Sequence, residues 1–507
     1  MREASPDRPP ELWELSVEEV ARRVRSREVS AAEVTDAALA RTAEVEPLIA
    51  AYLEVFADEA RDRAAEIDRR IAAGEDPGPL AGVPVALKDN LSVTGHRLTC
   101  ASRILEGYVA PYTATAVERL LGAGAVILGR CNMDEFAMGS SCESSAYQTT
   151  RNPWDLSKVP GGSSGGPAAA VAAGSVPLSF GSDTGGSVRQ PAALSGVVGL
   201  KPSYGRVSRY GLVTFASSTD QIGPLTRNVR DAALGLQVIA GPDPRDATCA
   251  DRPVEDYLER IEEGIAGLKV GVIRDIDVAG LSPESARGWR EGLGFLERAG
   301  AEIVEVSVPS LDAAVAIYYV IATSEASANL ARFDGVRYGR RVSGEGRAGS
   351  LADLYVASRS QGFGPEVKRR IMLGTFALSS GYYEAYYGRA RGVLERMRQE
   401  LEAALGQADL LVTPTSPTPA FGIGERTDDP LAMYLSDVFT TPASLVGLPA
   451  FAVPSGLDDD GLPQSLQIMG RMFDEATVFR ACRAVEREAT REAAWRVAPT
   501  FRGAEVA

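Results

Sequence analysis

Apolar and polar positions along the chain change period several times. Ser16-Val-Glu-Glu19 and Ser30-Ala-Ala-Glu33 each place an acidic residue three positions after a serine. That is the capping-box signature, and each box opens an amphipathic helix. A third helical pattern runs from Asp58 to Ala73 and stops at Gly74, a helix-ending residue. Residues 1–75 therefore read as a helical region, behind a loose charged arm over 1–15, packed on the body of the molecule.

From residue 76 the pattern alternates. VPVAL, within Pro79–Asn90, is a short apolar run of the buried-strand kind, with Lys88 just past it. Residues 113–124 read as a helix and 125–129 as a strand. PAAAVAAGS (167–175) is a small-residue helix opened by Pro167, a residue suited to a first turn. Strand, helix and strand come next over 268–275, 283–300 and 301–309, and residues 311–406 are mainly helical. ADLLVTPTSPTP (408–419), LPAFAVPSG and LPQSLQIMG supply late strands, and CRAVEREATREAAWR a closing helix. Strands interleaved with helices predict one large α/β body over 76–500, with a helical region at 311–406.

Composition narrows the function classes. The net charge of −15 over 507 residues repels nucleic-acid phosphates and anionic lipid, so direct gripping of either is not expected. No apolar run reaches roughly 18 residues, so no membrane span is expected. The charged, proline-rich start has no apolar signal core, and the five scattered cysteines form no CxxC pair; both point to a cytoplasmic protein with reduced thiols. His96 is the single histidine, so no metal site is expected.

The chemistry concentrates in Pro160–Gly196, where GGSSGG and DTGGSVR present serines in glycine-rich settings. Gly161-Gly-Ser-Ser-Gly165 fits the G-x-S-x-G nucleophile elbow. A serine nucleophile needs a base, and His96 lies in a polar turn-like segment. A lysine serves if its proton affinity falls: moving it from about 10.4 to about 7–8 takes roughly 3–4 kcal/mol against the ammonium. Of the five lysines, Lys88 alone follows an apolar strand and precedes a polar loop. The glycines before Ser187 leave backbone N–H groups uncovered for an oxyanion. Plainer readings stand beside these: a solvated strand end at Lys88, a flexible loop at GGSSGG. A phosphate cradle is weak, because no Gly-Lys-Ser/Thr comes after it. On chemistry alone either Ser163 or Ser187 could attack.

Together, LAGVPVALKDN, GGSSGG, GSDTGGSVRQPAALSG and LPQSLQIMG resemble the amidase signature family over nearly the whole chain. The resemblance implies a mixed central β-sheet covered by helices on both faces. It implies Ser187 as nucleophile, Ser163 as a bridging serine after a cis peptide bond, and Lys88 as base. Backbone N–H groups around Thr184, Gly185 and Gly186 would form the oxyanion hole. Members commonly carry serine where this chain has Pro167, and little loss of chemistry is expected from that departure.

Residues 318–339, 363–390 and 428–450 further resemble the branch that releases ammonia from glutamine for heterotrimeric tRNA-dependent amidotransferases. That likeness implies Arg370 for the glutamine carboxylate, Asp437 for its ammonium, and a tyrosine of the Tyr318-Tyr319 pair, with Tyr319 favoured. It implies partner subunits B and C, with Glu-tRNA(Gln) held mainly by the partner. ATP and magnesium would be used there, leaving no cofactor in this chain. A freestanding amidase for a small carboxamide, needing no partner, is the alternative; a structural protein with an idle site is a third.

Overall fold

A computed structural model describes residues 10–276, 280–342, 350–491, 499 and 501–503. Residues 1–9 of the expected arm, and the closing helix beyond 491, lie outside the described residues. Immediately after them the arm is anchored: Leu12–Glu14 form a turn of 3₁₀ helix, and Leu15 is buried.

Eleven strands are found among the described residues: β1 (Tyr52–Val55), β2 (Pro84–Lys88), β3 (Val126–Cys131), β4 (Leu178–Asp183), β5 (Val198–Lys201), β6 (Gln221–Thr226), β7 (Lys269–Ile273), β8 (Glu302–Val306), β9 (Leu410–Pro414), β10 (Ala450–Leu457) and β11 (Pro463–Met469). They make one mixed sheet in the order β1-β3-β2-β4-β6-β5-β10-β11-β9-β7-β8. β2 runs parallel to both β3 and β4, and β7 runs parallel to β8 and β9. The remaining pairings are antiparallel. Every residue of β2 to β6 is buried, so both faces of the sheet's middle are covered. Strands covered on both sides gain by apolar runs rather than alternation, which is why VPVAL reads as it does. The edge strand β8 is partly solvated, and EIVEV carries its glutamates there.

The N-terminal region differs in two details from the pattern. The Ser30 capping box is complete, but at Ser16 only the serine's half is made. The Glu19 carboxylate is instead drawn to Arg22 and Arg23. Between the second and third helices the chain forms β1, an edge strand of four residues paired with β3.

Helix Gly165–Ala172 is buried along its whole length. Small residues are forced on it: a Cβ on Gly166 would collide with the Asn132 carbonyl and stand 2.7 Å from that of Ala51. Pro167 lies in the first turn, where its missing N–H removes no intrahelical bond, and its carbonyl accepts from Ser179 Oγ at 2.9 Å.

Glycine-to-alanine changes should therefore separate by site. Gly166→Ala meets backbone that cannot yield and should cost about 1–3 kcal/mol. Gly392→Ala, in helix Arg389–Gln407 with open space around it, should gain up to about 1 kcal/mol. Denaturant unfolding of both variants checks the contrast; equal stabilities would contradict the packing.

Candidate active site

Lys88 is the last residue of β2, and Asp183 the last of its parallel neighbour β4. Both strands end on the same side of the sheet, where open α/β sheets commonly place their ligands. The chain leaves β4 through Thr184-Gly185-Gly186 to Ser187 and enters helix Arg189–Ser195. GGSSGG arrives from elsewhere, ahead of helix Gly165–Ala172. The Ser164 N–H donates to the Ser187 carbonyl at 3.0 Å, so the two glycine-serine segments are stitched together.

Lys88 Nζ stands 2.8 Å from Ser163 Oγ and 2.8 Å from Ser164 Oγ. It also reaches Ser182 Oγ at 3.0 Å and the Ser182 carbonyl at 3.2 Å. Asn90 Nδ2 donates to the same Ser182 hydroxyl at 2.8 Å. The Gly162–Ser163 peptide is cis. Lys88 is fully buried, and burial pulls its amine down to about 7 against the opposing pull of Asp134, Asp183 and Asp220. Near neutrality the amine is thus divided between charged and neutral forms. Sequence reasoning does not single out Ser164, Ser182 or Asn90; the doubled serine of GGSSGG and the serine of GSDTGGS are the available signals.

The loop that carries Ser187 is held by a buried ion pair. Asp183 meets Arg189 Nη2 at 2.8 Å and Nε at 2.9 Å. Arg189 also donates to the Thr440 carbonyl, Gln467 Oε1 and Ser444 Oγ. Burial alone would raise the Asp183 carboxyl; the Arg189 guanidinium outweighs it and holds it below the usual range. Such a pair is costly to break, since removing one partner leaves a buried charge unmatched.

Thr184, Gly185 and Gly186 occupy the turn between β4 and Ser187. Thr184 Oγ1 donates to Asp220 at 2.7 Å. The N–H groups of Gly185 and Gly186 donate to no protein acceptor among the described residues. A Cβ on Gly185 would stand 2.5 Å from the Tyr318 ring and 2.7 Å from its hydroxyl. Gly186 has φ +148°, and a Cβ there would collide with Thr440 Oγ1. Both positions need glycine because neighbours press on the loop.

Asp437 lies over the same turn. Its Oδ2 accepts from Ser140 Oγ at 2.5 Å. Its Oδ1 has no hydrogen-bond partner among the described residues and stands 3.1 Å from the Cβ position of Gly186. Burial raises its carboxyl to about 7 despite the Ser140 hydrogen bond. Arg370, on helix Pro365–Ala377, is also buried, with its guanidinium carbon 5.1 Å from the Tyr319 ring centre. Tyr319 stacks on Tyr434 at 3.9 Å. The two tyrosines of the expected pair thus divide: Tyr318 presses on Gly185, and Tyr319 flanks Arg370. A cavity of about 680 Å³ opens beside them, lined by Glu135, Ser140, Glu366, Arg370, Arg426 and Tyr434 among others.

His96 stands apart, with Phe56 at 4.2 Å and Glu59 at 3.4 Å as its neighbours. Among the described residues no cluster of three or more His, Cys, Asp or Glu could hold a metal, and no helix is long and apolar enough to cross a membrane. All five cysteines are free.

Comparison with known proteins bears on the family and the fold. The amidase family matches residues 33–479. The chain is 56% identical over 476 residues to the A subunit of glutamyl-tRNA(Gln) amidotransferase from Roseiflexus castenholzii, covering 94% of this chain and 96% of that one. The crystal structure of the same-named subunit from Thermotoga maritima superposes with a TM-score of 0.78 at 44% identity, over 94% of this chain and 95% of that one. The peptide amidase of Stenotrophomonas maltophilia superposes with a TM-score of 0.79 at 34% identity, over 96% and 99%.

The Lys88 amine can be observed directly, because the chain has five lysines. Selective lysine labelling, with Lys88→Met to assign the signal, should give a side-chain resonance titrating at about 7. A midpoint near the ordinary value of about 10.4 would contradict the burial argument.

Proposed function

The chain belongs to the amidase family, and from that premise we propose how its site serves the role of the A subunit in glutamyl-tRNA(Gln) amidotransferase. Lys88, Ser163 and Ser187 carry the hydrolysis of glutamine's side-chain amide. The observation that supports this most directly is the buried Lys88 amine, 2.8 Å from Ser163 Oγ and drawn down to about 7.

Ser187 Oγ attacks the amide carbon; its proton passes to Ser163 as the proton of Ser163 passes to neutral Lys88. The carbonyl oxygen becomes an oxyanion, received by the free N–H groups of Gly185 and Gly186 with Thr184 shaping the turn. When the C–N bond breaks, the leaving nitrogen takes a proton from Ser163, which is refilled from the Lys88 ammonium. Ammonia departs and Ser187 is left as an ester. Water then attacks that ester, its proton passing through the same relay to Lys88; the bond from Ser187 Oγ to the acyl carbon breaks, the proton returns through Ser163 to Ser187 Oγ, and glutamate leaves.

The pocket suits an amino acid at both ends of its α-group. Asp437 offers an unpaired carboxylate oxygen to the ammonium, and Arg370 offers a fork to the carboxylate. Tyr319 flanks that fork. A small neutral carboxamide would leave the terminal nitrogens of Arg370 and the free Asp437 oxygen without ligand partners, which weighs against a freestanding amidase.

Ammonia released here serves an amidation carried out elsewhere. In this proposal the B subunit holds Glu-tRNA(Gln) and activates its carboxyl with ATP and magnesium, the C subunit braces the assembly, and the work is cytoplasmic. The charge of −15 suits a chain that does not grip tRNA. Met372, Leu373 and Phe376 are exposed and continue into Tyr382 and Tyr386, an apolar surface of the kind that partners bury.

Ser187→Ala in the complex should abolish ammonia release from glutamine yet leave amidation supplied with free ammonia largely intact; equal loss of both would contradict the division of labour. Glutamine binding should release protons near pH 7. Asp437 is partly protonated at about 7 in the free site, and the ligand ammonium favours the carboxylate. Calorimetry of Ser187→Ala in buffers of differing ionisation heat should show release that fades toward pH 9 and is absent in Ser187→Ala/Asp437→Asn. Release unchanged by the second substitution would remove Asp437 from that role.

A further inference from the structure

We propose that Glu366 is a positioning residue that orients the Arg370 guanidinium for the substrate's α-carboxylate. The proposal rests on reading Arg370 as the carboxylate's partner. Glu366 lies one turn before Arg370 on helix Pro365–Ala377, and its Oε1 accepts from Arg370 Nε at 2.7 Å. The same oxygen accepts from the Tyr434 hydroxyl at 2.9 Å. Its other oxygen is paired with Arg369. Glu366 and Arg370 line one cavity with Ser140, whose hydroxyl donates to Asp437, the carboxylate that lies over Gly186.

Aromatic rings alone do not fix a guanidinium. Phe215, Tyr319 and Tyr434 surround the Arg370 carbon at 5.6, 5.1 and 5.4 Å, and their attraction depends weakly on rotation within the plane of the group. A hydrogen bond from Nε sets that rotation. It leaves the terminal nitrogens, which have no protein partner among the described residues, as the fork presented to a ligand. Tyr434 is fixed by the same carboxylate and in turn stacks on Tyr319, so one group sets the guanidinium and two of its walls.

The charge balance supports the same role. Glu366 carries one negative charge between the positive charges of Arg369 and Arg370, so the three residues together keep one positive charge. A single α-carboxylate matches that remainder. Without Glu366 the guanidinium could turn its Nε edge inward and trade the fork for a single contact.

Steady-state kinetics of the full chain in its complex test the proposal. Glu366→Ala should raise KM for glutamine roughly tenfold with kcat changed less than about threefold, as expected when a binding contact shared by ground and transition states is weakened. Glu366→Gln keeps an acceptor for Nε and should restore KM to within about threefold of the wild type. 4-Aminobutanamide, which keeps the amide and the ammonium but lacks the α-carboxylate, should compete with glutamine equally well in wild type and Glu366→Ala. An unchanged KM in Glu366→Ala, failure of Glu366→Gln to restore it, or parallel weakening of 4-aminobutanamide would overturn the positioning role. Arg370→Ala separates the two layers. If it leaves the glutamine KM unmoved, the carboxylate reading fails with the inference; if it raises KM while Glu366→Ala does not, only the positioning role fails.

Discussion

A lysine amine buried among serine hydroxyls is the constraint around which the site is arranged. In water the amine would hold its proton far above neutrality; in this site burial lowers it to about 7. Four contacts surround the nitrogen, three of them hydroxyls that both give and take a hydrogen bond. Such partners accommodate either protonation state by turning the O–H, so neither form is stranded. Aspartates in direct contact would have locked the ammonium. Asp134, Asp183 and Asp220 instead act through space, and each is occupied with other donors.

Burying that amine requires a scaffold without slack. The ends of β2 and β4 bring Lys88 and Ser182 together, and the glycines let the second segment come close enough to complete the shell. Any side chain at Gly162 would collide with Asp134, and one at Gly165 would stand 2.6 Å from Cys142 Cβ. The Asp183–Arg189 pair fixes where the chain turns after β4. Glycine here removes bulk where other backbone and side chains must pass, rather than loosening a loop.

That difference explains what can be read from the sequence. β2, β3 and β10 are visible because they are apolar runs. β4, β5 and β6, which read LSFGSD, VGLK and QIGPLT, are not, although they are as fully buried. They carry Gly181, Gly199 and Gly223, where a Cβ would press on Ser164, Ala192 and the Leu200 carbonyl. Burial by close approach leaves no hydrophobic signature. β1 is hidden because YLEV is short and sits at an edge between two helices. Glycine spacing and a scarce lysine mark Lys88, Ser163 and Ser187 as candidates, and only the family resemblance divides roles among them. Glu366 and Tyr434 cannot, since their bond to each other spans 68 residues and neither segment alone implies it.

The distribution of buried charge also bears on selectivity. Arg370 remains charged because the paired Glu366 carboxylate and the flanking aromatic faces offset the penalty of burial, while Asp437 is raised to about 7 because burial outweighs the Ser140 hydrogen bond. In the proposed pocket, the cationic end is therefore set before a ligand arrives, and the anionic end acquires its full charge only when an ammonium comes. A ligand with a carboxylate alone would find its partner but leave Asp437 neutral or unmatched. A ligand with an ammonium alone would pair Asp437 and leave Arg370 facing an empty fork. In that reading, a molecule carrying both groups meets both demands. Under the proposed roles of Arg370 and Asp437, selection for an α-amino acid would arise from two unequal electrostatic sites, one held in advance and one completed by the substrate.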